Sequence, residues 1–137
     1  MNTREITLSL PEFLYLRFQQ MAQATRQPVD DLLVRAVAMG GPPSWEEAPA
    51  RFQAELAALD RMTDDALWRV ARTRHSQSEA DRMQELLEKR IAEAMDEDEK
   101  SELESMLHGA DLTMLRKAHA VALLRWRGHI IPPAETL

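Results

Sequence analysis

Near the start of the chain, polar and apolar residues alternate strictly. In Glu5-Ile6-Thr7-Leu8-Ser9-Leu10 the apolar side chains fall at every second position. Period two is the signature of a half-buried strand, here with Ile6, Leu8 and Leu10 on one face. At Pro11 the period changes. Leu14, Phe18, Met21 and Ala22 recur at helical spacing, and Thr25-Arg26-Gln27 interrupts them. Pro28 suits the first turn of a second helix, where Asp30 and Asp31 complement the dipole. Val29, Leu32, Leu33, Ala36 and Val37 form its apolar face.

Gly40-Gly41-Pro42-Pro43 is the clearest boundary in the sequence, because the glycines end a helix and the prolines cannot continue one. It predicts two regions, 1–43 and 44–137. In the second, Ser44 with Glu47, Ser76 with Glu79, and Asp96 with Glu99 have capping-box spacing, and Thr63 is a further N-cap. The predicted helices carry Phe52, Leu56 and Leu59; Leu67, Val70 and Ala71; Met83, Leu87, Ile91 and Met95; then Leu103, Met106 and Leu107. Gly109 is expected to break the chain before a last helix from about Asp111, ended by Gly128 and Pro132-Pro133.

Strand, Leu-Pro-Glu, helix, short turn, helix is an order that resembles the ribbon-helix-helix family of small bacterial repressors and antitoxins, over roughly residues 4–39. The fold expected is therefore mainly α. A dimeric N-terminal ribbon-helix-helix of one strand and two helices precedes a helical C-terminal region. The resemblance implies a homodimer with Ile6, Leu8, Leu10, Leu14, Phe18, Leu33 and Val37 in its shared core. It implies operator DNA read by Arg4, Glu5, Thr7 and Ser9, with a phosphate at the start of the second helix, near Gln27 and Val29. Glu5, Asp30 and Asp31 depart from the family by placing acid where phosphates would lie. The Leu/Glu-rich stretch 83–107 and the segment 115–129 resemble antitoxin extensions, which implies a toxin partner, such as a nuclease. Phe13, Leu16, Arg116, Arg125, Trp126 and Arg127 are the expected partner contacts. The alternative is a dimeric protein-interaction module that no longer binds DNA.

Composition narrows this little. The 137 residues carry a net charge of −6, against a protein held on nucleic acid by bulk charge. Residues 1–43 balance four arginines against four acids, so the acid lies further on. There is no cysteine, hence no disulfide, thiolate ligand or thiol nucleophile. No apolar run approaches the ~20 residues of a membrane span, and a cytoplasmic protein is expected. The four histidines show no metal-ligand spacing, and no catalytic constellation or phosphate-cradling loop stands out. The sequence therefore predicts no enzyme, no cofactor and no metal. His119, on an apolar helix face, is expected to be a hydrogen-bonded core or edge residue.

Overall fold

A computed structural model describes residues 2–137, which form six helices and divide into two compact units, 2–41 and 42–137.

The N-terminal unit is a pair of helices, α1 (Glu12–Thr25) and α2 (Val29–Gly40). Each begins directly after a proline, whose fixed φ is already helical and whose missing N–H leaves no donor unpaired. Between them, Arg26 takes the left-handed conformation (φ 56°). That reversal lets the Gln27 N–H donate to the Ala22 carbonyl at 3.0 Å, closing α1. Ala22 of α1 and Leu32 of α2 are the buried residues of the unit.

No strand exists among the described residues, and the segment preceding α1 has no regular structure. Ile6 and Leu8 are exposed, at 71% and 63%. This overturns the expected strand, and with it the ribbon-helix-helix resemblance and the fold class built on it. Alternation alone does not make a strand. Its N–H and C=O groups must be paired along a neighbouring ladder, and no second extended segment here supplies one.

The second unit is built on a long helix, α6 (Glu97–Trp126). Against it pack α3 (Ala50–Leu59), α4 (Asp64–Ala71) and α5 (Gln77–Ile91). Phe52, Leu56 and Leu59 of α3, Leu67 and Ala71 of α4, and Ala120, Leu123 and Leu124 of α6 form one buried cluster. These residues recur at three- and four-residue intervals, so each helix turns a single apolar stripe inward. The α5 helix meets α6 nearer its start. There Leu86 and Leu103 are buried, Arg82 holds Glu102 through two hydrogen bonds of 2.8 and 2.7 Å, and Lys89 pairs with Glu99.

Local capping accounts for the helix starts. The Thr63 hydroxyl accepts from the Ala66 N–H, Ser76 from that of Glu79, and Asp96 from that of Glu99. Only the last is a full capping box, the Glu99 carboxylate returning a bond to the Asp96 N–H. Ser44 instead accepts from the Glu46 N–H, and α3 starts later, after Pro49. Gly109 does not break α6. Burial at Leu103 on one side and from His119 to Leu124 on the other holds the helix through it.

Candidate interaction surfaces

Two helices with two buried residues leave most of their apolar side chains outside. In the N-terminal unit Phe13, Tyr15, Leu16 and Met21 of α1 and Val34, Val37 and Met39 of α2 are all exposed, Met39 at 82%. They do not share one stripe. Apolar residues lie on several sides of each helix, the pattern of helices meant to be covered. One part of this surface is concave. Phe18 and Met21 of α1 and Leu32, Ala36 and Met39 of α2 line a groove of about 360 Å3, with Arg17 and Arg35 also in its wall.

The second unit carries a polar network where the end of α6 meets the α3–α4 turn. His119 is buried and its Nε2 lies 2.7 Å from Asp60 Oδ1. The other oxygen of Asp60 accepts from the Trp45 indole N–H at 2.9 Å. Arg127 donates to Asp64 Oδ1 at 2.8 Å, to the Met62 carbonyl at 2.9 Å and to the Asp60 carbonyl at 3.2 Å. His129 Nε2 lies 2.7 Å from Asp64 Oδ2, and its ring meets Trp68 edge-on. The Arg127 hydrogen bond foremost, then that of His129, holds the Asp64 carboxyl below the usual carboxylate range. Every carboxylate in this network already has its donors, so its chemistry is that of a clasp. Among the described residues no group of three or more histidines, cysteines and acids is disposed to hold a metal, and no helix is long and apolar enough to cross a membrane.

The residues expected to read DNA do not form a surface here. Arg4, Glu5, Thr7 and Ser9 lie exposed in the segment without regular structure, Gln27 is in the α1–α2 turn, and Val29 opens α2 half-buried. Of the expected dimer core, Ile6, Leu8 and Val37 are exposed, while Leu10, Leu14, Phe18 and Leu33 are half-buried. Phe13 and Leu16 are exposed. On α6, Arg125 and Trp126 are exposed and Arg116 is half-buried, its Nε without a hydrogen-bond partner. Arg127, expected to face a partner, is bonded within its own unit. Sequence reasoning missed Trp45, Asp60 and Asp64, whose role depends on contacts with residues 15 to 65 positions away. Sequence reasoning also passed over Val34 and Met39, exposed apolar residues off the α2 stripe.

No known family, curated protein or solved structure matches the chain.

Proposed function

We propose that the protein is a non-catalytic, homodimeric interaction module that self-associates through its N-terminal unit. The observation that carries this reading is the imbalance in that unit: Ala22 and Leu32 are its buried residues, while seven larger apolar or aromatic side chains of its two helices stand exposed. A unit this short sits near the limit of about 40 residues below which a fold needs a metal, a disulfide or a second copy. It has no cysteine to form a disulfide. A second copy supplies apolar surface of the same kind, and the balanced charge of residues 1–43 puts no net repulsion between the two. Operator binding, which the family resemblance implied, drew its warrant from a paired strand, and the described residues form none.

Light scattering on the full chain tests the reading. The wild type is expected at twice the 15.7 kDa of one chain. Met21→Glu with Met39→Glu, which charges the groove, is expected to give a monomer that keeps the helices of the second unit. A wild type that runs as a monomer at every concentration contradicts the reading.

A further inference from the structure

The chain is acidic overall, yet besides the acid-free stretch 112–134 a short segment of the second unit also runs the other way. From Trp68 to His75 there are three arginines and a histidine and no acid. These residues occupy the end of α4 and the turn leading to α5. Arg69, Arg72 and Arg74 are all exposed. Among the described residues none of the three forms an ion pair; Arg82, Lys89 and Arg127 of the same unit do, while Arg61, Arg90 and Arg125 do not. His75 is already matched by Glu79.

The group is also partly organised in advance. The Arg72 guanidinium lies 4.8 Å from the centre of the Trp68 ring, a cation–π placement that restrains it. Trp68 is itself fixed, packed against the core cluster and met edge-on by His129. Arg69 directs its Nε to the carbonyl of Asp65, and the Thr73 hydroxyl donates to the Arg69 carbonyl. Guanidinium groups held this way lose less entropy when they take a carboxylate. The negative end of the α4 dipole favours cations in its last turn. That accounts for Arg69 and Arg72 but not for Arg74, which lies beyond the helix.

We propose that Arg69, Arg72 and Arg74, neighbours at the end of α4 and in the turn after it, with Arg72 held over Trp68, form a docking surface for an acidic segment of another protein. Three forked cations without carboxylates match a run of Asp and Glu side chains. A polynucleotide fits less well, because the net charge of −6 repels the rest of a long polyanion. These residues belong to the second unit and the self-association residues to the first, so the proposal does not rest on dimerisation.

The test uses the full chain and two labelled probes at low salt, a short Asp/Glu-rich peptide and a single-stranded oligothymidylate several times longer, whose phosphates run on past the patch, read by fluorescence anisotropy. The peptide is expected to bind more tightly than the oligonucleotide. The triple variant Arg69→Gln, Arg72→Gln, Arg74→Gln, checked for unchanged helicity by circular dichroism, is expected to lose about tenfold or more in peptide affinity. Arg4→Gln with Arg90→Gln removes charge elsewhere and is expected to leave peptide affinity within about twofold. The proposal is overturned if the peptide does not bind, if the oligonucleotide binds more tightly, or if the triple variant loses no more than the control.

Discussion

Arg127 Nη1 lies 2.8 Å from Asp64 Oδ1, joining the end of the longest helix to the first residue of α4 across 63 positions of sequence. The same guanidinium also satisfies the carbonyls of Asp60 and Met62 in the α3–α4 turn. One side chain therefore sets where three helices meet. Arg127→Met keeps much of the apolar stem and removes all of these bonds. It is expected to lower the melting temperature by about 5 °C, read by circular dichroism. A variant that melts with the wild type would show that the clasp contributes nothing to stability.

Acid should loosen the second unit in a defined direction. Asp64 is held low by Arg127 and His129, Glu99 by Lys89 and its capping bond, and Glu102 by Arg82. A carboxylate depressed in the folded state contributes stability that is present above its unfolded pKa. That stability is lost as pH falls through the folded value. Urea midpoints are therefore expected to hold between about pH 7 and 5 and to fall below about pH 4. Glu99→Gln with Glu102→Gln should lower stability at neutral pH and partly flatten the acid limb, since two of these three carboxylates are gone and Asp64 remains. An unchanged acid limb in that variant would place the pH sensitivity elsewhere.

Glycines in the second unit separate two effects. A Cβ built on Gly109 meets nothing within 4 Å, and the residue sits inside α6 with helical neighbours on both sides. Gly109→Ala is expected to stabilise by about 0.5–1 kcal/mol, because the unfolded chain loses freedom that the helix does not use. Gly128 follows the end of α6 with φ at +102°, where a side chain is strained. Gly128→Ala is expected to destabilise by about 1 kcal/mol or more. Paired thermal melts check the opposite signs.

Truncation in the core should be costlier than any of these. Leu67 and Leu124 are fully enclosed on α4 and α6 within one cluster. Either one replaced by Ala is expected to cost about 2–5 kcal/mol in chemical denaturation. A cost under about 1 kcal/mol would mean the cluster is loosely packed.

The sequence was readable where the deciding interactions are local. Thr63, Ser76 and Asp96 each bond a backbone N–H three residues on, so their spacing alone located the starts of α4, α5 and α6. Ser44 had the same spacing but spent its hydroxyl on a turn, with the helix delayed to follow Pro49. Gly109 looked like a break because local propensity opposes a helix there, and packing along α6 outweighed it. The alternation at Ile6, Leu8 and Leu10 was a true period-two pattern, but a strand also requires a neighbour, which periodicity cannot supply. His119 was recognisable as a hydrogen-bonded core or edge histidine. Its partner Asp60, 59 residues away, was not, since only the fold brings the two together. Of the interaction surface, Phe13 and Leu16 were expected as contacts, Met21 and Val37 were expected in a core, and Tyr15, Val34 and Met39 were not singled out, because exposure depends on how few of these side chains the two helices bury between them.

The central claim is that the N-terminal unit completes itself with a second copy, and sedimentation equilibrium of the wild-type chain over a wide concentration range tests it most directly. A reversible monomer–dimer equilibrium is expected, with a limiting mass twice that of one 15.7 kDa chain, shifted to monomer by charge introduced at Met21 and Met39. A single species at the monomer mass throughout, or a dimer that those two substitutions leave intact, would contradict it.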